Sequence, residues 1–349
     1  FGFQLKNLEK EFSFYSKSLY QLKLKTIQQI VSIYHQAVAN LKNEEEKGHS
    51  LTGDIYDEAK MLSIHLEEND KATITTLYIV NLLICHVFGE YEIALTNANN
   101  AAASINEIPG AIGVPFFYLY DSLTRLAVYP ESDHSERRKL LKTVKVSQKK
   151  MKLWAGHAPM NHLHKYQLVE AERHRVLGRD LEAMKYYDLA IAGAKEHKYR
   201  REEALANELA GRFYLGRGNL KIARVYLEEA RSCYQNYGAL AKVKHLEDLY
   251  PDLLARPTQA EPVFAEPVTR AVSTTTSEEL LDLTSIMKAS QAISGEIKLE
   301  KLLERLMTIV IENAGAQKGF LLLRSGEQLV IKARSEERRV GKECRSRWS

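Results

Sequence analysis

Over the first 250 positions apolar residues recur at three and four, the spacing that gathers them on one face of an α-helix. Leu19, Leu22, Ile27, Ile30, Ile33, Tyr34 and Val38 form one such stripe, and Leu77, Val80, Leu83, Ile84 and Val87 a second. Proline is nearly absent from these long segments. The breaks fall at clusters such as Pro109-Gly110-Ala111 and Tyr129-Pro130-Glu131-Ser132-Asp133, whose residues favour turns. The pattern predicts helix after helix, with one pair near 114–128 and 134–153.

Within this region a short pattern returns three times. Gly89-Glu90-Tyr91-Glu92-Ile93-Ala94, Gly178-Arg179-Asp180-Leu181-Glu182-Ala183 and Gly218-Asn219-Leu220-Lys221-Ile222-Ala223 each place alanine five positions after glycine, where one amphipathic helix gives way to the next. Tyr187 and Ala190 follow Ala183 at +4 and +7. Leu227 and Ala230 follow Ala223 at the same offsets, and Ala98 and Ala101 stand there after Ala94. Glycine closes a tight turn at positive φ at little cost, and alanines on one face let a partner helix approach. This is the logic of the tetratricopeptide repeat, whose usual period is ~34 residues. Here Ala94 and Ala183 are 89 residues apart and Ala183 and Ala223 are 40, so the units are longer and imperfect. The expected fold is mainly α: a tetratricopeptide-like stack of helical hairpins over 1–250, in which neighbouring hairpins bury one another's apolar faces. Such stacks commonly work through a concave surface that binds a peptide or holds neighbouring domains.

Composition then shifts. Positions 251–277 hold Pro251, Pro257, Pro262, Pro267 and the run Ser273-Thr274-Thr275-Thr276-Ser277, and read as a linker. Ser277 is placed to cap a connecting helix over 278–296, where Ile286 and Ile293 permit a short coiled-coil seam. Over 297–333 a second helix near 299–314 is followed by a strand at Phe320-Leu321-Leu322-Leu323, a turn at Ser325-Gly326-Glu327 and a strand at Leu329-Val330-Ile331, the opening of an α/β domain.

The formal charge of +4 would invite a nucleic-acid partner were it spread over the chain. It is not: positions 334–349 carry six basic and three acidic residues, which leaves +1 for the rest. That tail, RSEERRVGKECRSRWS, resembles one reading frame of a sequencing-library adapter, so neither Gly341-Lys342 nor Cys344 is read as functional. Cys85, Cys233 and Cys344 form no C-x-x-C pair, which argues against a disulfide framework or structural zinc and for a reducing, cytoplasmic setting. No stretch approaches the ~20 apolar residues of a membrane span.

Two segments resemble a known family. The run HAPMNHLHKYQLVEAERHRVLGRDLEAMKYYDLAIAGAKEHKYRREEALANELAGRFYL, positions 157–215, is similar to the helical region of large multidomain bacterial sensor histidine kinases. These join a serine/threonine kinase-like domain, a STAND-type ATPase, tetratricopeptide-like helices, a GAF domain and a histidine kinase. SIMKASQAISGEIKLEKLLERLMTIVIENAGAQKGFLLL, positions 285–323, looks like the start of the GAF domain of the same proteins. The resemblance implies a non-catalytic regulatory segment that couples an upstream ATPase or kinase module to a downstream sensor. ATP would be a cofactor of other domains of the parent only. The implied partners are proteins or neighbouring domains of the same chain, within a parent that could be a homodimer.

The residues themselves offer no catalytic constellation. There is no G-x-x-x-x-G-K-[ST] loop, no G-x-G-x-x-G, no H-R-D or D-F-G, and no G-x-S-x-G elbow. His157, His162 and His164 are the best metal candidates. However, His162 and His164 stand two apart and face different sides of a helix, so helix-packing histidines are the simpler reading. No metal or cofactor site is therefore assigned. The residues singled out, Gly89, Tyr91, Ala94, Gly178, Ala183, Tyr187, Ala190, Gly218, Ala223, Leu227 and Ala230, are expected to pack hairpins. The competing class is a free-standing interaction module, or the effector-sensing repeat domain of a STAND-type transcription regulator.

Overall fold

The computed structural model describes residues 3–43, 50–254, 318–325 and 328–336. The chain divides into two compact units, Phe1–Glu261 and Pro262–Ser349. The first is built of helices: α1 (Leu5–Gln21), α2 (Lys25–Lys42), α3 (Glu58–Glu67), α4 (Lys71–Val87), α5 (Tyr91–Ser104), α6 (Val114–Val128), α7 (His134–His157), α8 (Pro159–Val176), α9 (Asp180–Glu196), α10 (Arg200–Gly216), α11 (Leu220–Tyr237), α12 (Leu240–Leu249) and the single turn α13 (Pro251–Leu254). Helix starts carry their own signals. Asp57, Asp70 and Asp133 accept from the backbone N–H three residues on, and Pro115 and Pro159 sit in first turns, where a missing N–H costs nothing.

One turn is used repeatedly. After α4 the N–H of Glu90 donates to the carbonyl of Cys85 and that of Gly89 to His86, which satisfies carbonyls the helix end would leave open. The same pair of bonds closes α8 through Arg179 and Gly178, α9 through Tyr199 and Lys198, and α10 through Asn219 and Gly218. It closes α1, α3 and α11 as well, and the residues at its left-handed position are Lys23, Asn69, Gly89, Gly178, Lys198, Gly218 and Gly238. Positions 178, 198, 218 and 238 are 20 residues apart, as are 69 and 89. The 40-residue spacing in the sequence is thus two helix-plus-turn units of equal length, and the turn between them carries no glycine because α9 ends on Lys198. The stripe from Leu19 to Val38 is one case where the pattern misled: the turn at Lys23 cuts it, leaving Leu22 and Ile27 exposed while Ile33 and Val38 are buried.

The helices sort into two layers. α4 packs on α2, α5 and α6, α6 on α4, α7 and α8, and α8 on α6, α7, α9 and α10. α12, adjacent to α11, also reaches α2. The inner helices are buried almost all round, 13 of 17 residues in α4 and 10 of 15 in α6. The outer ones bury a narrow stripe, Ala94, Asn97, Ala98 and Ala101 in α5 and Ala183, Tyr187, Ala190 and Ala194 in α9. Close approach across the layers is visible at Gly211 of α10, where a Cβ would lie 2.7 Å from Leu227 of α11.

Pro251–Leu254, the first four residues of the expected linker, form a helical turn with Leu254 buried, and the rest of that stretch lies outside the described residues. In the second unit β1 (Lys318–Ser325) pairs antiparallel with β2 (Gln328–Glu336), with an irregularity between Leu321 and Leu322. The second strand continues three residues past Ala333. The helices expected at 278–296 and 299–314 lie outside the described residues.

Candidate functional site

The residues singled out from the sequence do not converge on one site; they lie along α5, α9 and α11 and the turns before them. Gly89, Gly178 and Gly218 adopt φ of 86°, 69° and 73°. Ala94, Ala183 and Ala223 are fully buried, with Ala190, Leu227 and Ala230 beside them. Tyr91 and Tyr187 reach further, into an ionised interior that the sequence did not announce. The histidines read as metal candidates are likewise separate in role. His162 tilts against Trp154, whereas His164 is buried with its Nε2 3.0 Å from the Lys165 ammonium.

That interior is built from the inner helices. On α10, Glu208 is 1% exposed and pairs with Arg212 on the same helix and, at 2.9 Å, with Lys242 of α12. Tyr234 of α11 donates its hydroxyl to the same carboxylate at 2.8 Å. Lys242, fully buried, also donates to the carbonyl of Val87 at the end of α4, so one ammonium ties α4, α10 and α12. Arg212 reaches the Tyr91 hydroxyl of α5. Six residues earlier on α10, Glu202 accepts from Arg201 at 2.9 Å and lies 3.9 Å from Lys165 of α8. Arg201 stacks over Phe116 and Lys165 over Tyr199, 4.4 and 4.1 Å from the ring centroids. On α8, Glu172 holds Arg175 at 2.7 Å and accepts from Tyr187, and on α6 Asp121 holds Arg125 at 2.7 Å.

Burial alone would push the Glu208 and Glu202 carboxyls up. The cations around them overcome it and hold both down at about 2: Lys242 and Arg212 for Glu208, Arg201 and Lys165 for Glu202. Burial pulls Lys242 and Lys165 down to about 8 against the pull of those carboxylates. His86, buried against Thr124 and Tyr120, is driven to about 3 by burial and by Arg212, and His164 to about 3 by burial and by Lys165; both are neutral imidazoles near pH 7. Burial pushes the Cys85 and Cys233 thiols up to about 12, which leaves them protonated and poor nucleophiles. Glu203, Glu229 and Cys233 are the one group among the described residues close enough to share a metal ion.

The chemistry of this arrangement is mutual neutralisation: buried charges pair within a helix, and two of the pairs, Glu208–Lys242 and Glu202–Lys165, run between helices. It fixes which helix meets which, because a slipped helix would leave a buried charge alone. A cavity of about 160 Å³ remains between His86, Tyr91, Glu172, Arg175 and Arg212. The sequence signal for the network was present but ambiguous. Asp121–Arg125 and Glu208–Arg212 stand four apart and Glu172–Arg175 three apart, the spacing of ordinary solvent-facing helix pairs.

No family model matches the chain. It is similar to "Hybrid signal transduction histidine kinase G" of Dictyostelium discoideum, 44% identical over 61 residues, which take in 18% of this chain and 2% of that protein. It is also similar to "Peroxide stress-activated histidine kinase mak2" of Schizosaccharomyces pombe, 22% identical over a 219-residue alignment covering 48% of this chain and 10% of that protein. The chain thus spans a small part of the curated relatives it matches, both of them histidine kinases of signal transduction. Among the described residues no helix is long and apolar enough to cross a membrane.

Proposed function

We propose that this chain is a non-catalytic regulatory segment of a multidomain sensor histidine kinase. Its helical region, a tetratricopeptide-like stack, would couple an upstream ATPase or protein-kinase module to a downstream GAF sensor and kinase core. The likeness to two histidine kinases carries this reading. The ionised interior supports it. A helical stack whose neighbours are locked by buried ion pairs moves as a block, so a displacement imposed at α1 is delivered at α13 rather than absorbed between them. ATP, in this reading, serves the flanking catalytic modules, and the surfaces of this segment contact neighbouring domains.

The test is the sequence of the source DNA on both sides of the coding region. A reading frame that continues past the codon for Ala333 into a complete GAF domain and a histidine-kinase core is expected. Genomic codons for Arg334 to Ser349 followed by a stop would overturn the assignment, and a DNA-binding domain in that place would replace it with the transcription-regulator reading.

A further inference from the structure

The cavities of the first unit differ in chemistry, and one of them has the character of a small-molecule site. It holds about 410 Å³ between α1, α2, α4, the starts of α6 and α10 and the end of α11, within the ~300–1,000 Å³ typical of such sites. Its wall is apolar, with Phe12, Ala37, Leu83 and Ile84 prominent. Three polar side chains join the lining at its inner side: Arg201, Tyr34 and Tyr237. Exposed Glu11 and Tyr15 of α1 mark the mouth.

The charge balance at the inner end is unequal. Arg201 and Lys165 are two cations that share one buried carboxylate, Glu202, and the neighbouring His164 is neutral. Arg201 gives one of its N–H groups to Glu202, and its buried Nε has no hydrogen-bond partner. A guanidinium with an open donor that lines an apolar cavity together with two phenols is complementary to a carboxylate on an aliphatic tail. A tail alone would leave the guanidinium without its partner, and an amine head would add a third cation to a cluster that already has one too many.

We propose that this cavity binds a free medium-chain carboxylate, head inward on Arg201 with Tyr34 and Tyr237, tail along α1, α2 and α4. The polar groups sit at the inner end and the mouth opens past α1, so the ligand enters head first. A bilayer lipid, whose head stays at the surface, does not fit that direction. The site is independent of the kinase reading and stands or falls without it.

The experiment is isothermal titration of the full chain with decanoate, decanol and decyltrimethylammonium, each below its micellar range. Saturable binding of decanoate, with the alcohol and the cation at least tenfold weaker, is expected. Ala37→Phe, which fills the cavity without touching Arg201, should weaken decanoate at least tenfold with the helical circular dichroism unchanged. Leu83→Trp serves the same purpose should Ala37→Phe not fold. Arg201→Gln should bring decanoate down to the level of decanol. Decanol matching decanoate on the wild-type chain, decanoate bound undiminished by a folded cavity-filling variant, or no binding at all would each overturn the proposal. The first and last of these need no variant.

Discussion

The outer and inner helices of the first unit solve the same problem in different ways. α5, α9 and α11 meet the molecule through a thin line of small residues, Ala94, Ala183 and Ala223 among them, and leave most of their surface in water. α4, α6, α8 and α10 are enclosed, and three of them carry carboxylates paired to arginine inside. The outer helices can therefore be copied from unit to unit, since any helix with alanine at the right spacing will dock. The inner helices cannot wherever a buried charge also depends on another helix, as Glu208 depends on Lys242 and Glu202 on Lys165. Glu208 on α10 fits only where Lys242, Arg212 and Tyr234 converge.

That contrast can be broken most forcefully at its centre. Glu208→Ala strands Lys242 and Arg212 without their carboxylate and should cost about 3–5 kcal/mol of unfolding free energy in urea. A loss under 1 kcal/mol would mean that the interior is not held by this pair. Acid is the next lever. The buried imidazoles His86 and His164 titrate near 3 when folded and near 6.5 when unfolded, so the unfolded chain takes up their protons first. Stability should be full above pH 6.5 and fall by about 2–3 kcal/mol at pH 5.5 for the pair, roughly 1.4 kcal/mol each. Below about pH 4.5 Glu202 and Glu208 add to the loss in the same direction, since their folded values lie near 2. A flat pH profile of thermal unfolding between 6.5 and 5.5 would contradict this.

The outer contact is probed by Gly211→Ala, whose new Cβ would stand 2.7 Å from Leu227 and 3.4 Å from the carbonyl of Ala223. Overpacking of this kind costs about 1–3 kcal/mol, and Leu227→Ala in the same chain should recover part of it. The smallest effect is expected on the surface. Arg217 and Asp180 form a two-point ion pair, and both are more than a third exposed. Arg217→Ala should change stability by less than about 1 kcal/mol and do so less at high salt. If it proved as costly as Glu208→Ala, the layer distinction would be lost.

Several elements were legible beforehand. The helices expected near 114–128 and 134–153 are α6 and α7, and the strands expected around Phe320–Leu323 and Leu329–Ile331 lie within β1 and β2. These elements announce themselves through local periodicity and turn residues, which one chain segment can display alone. The turns at Lys23, Asn69 and Lys198 were not legible, because a left-handed lysine or asparagine leaves no compositional mark. Nor was the ionised interior: Glu208 and Arg212 look the same on a surface helix, and what distinguishes them is Lys242, 34 positions away. The cavity beside Arg201 needed six helices in place before its lining existed.

The equal spacing of the turns has a consequence for how such a chain can change its length. Gly178 and Gly218 occupy the same place in the same turn, and each is followed by a residue that donates to the helix just ended. A recombination between their codons would delete or duplicate forty residues and still leave every turn intact at the junction. Growth by such steps is open at the level of the backbone. It is closed by partner matching, since a duplicated α10 would bring a second Glu208 with no second Lys242 to meet it. Gene-level copying and charge-level bookkeeping thus pull against each other, and the number of units settles where they agree.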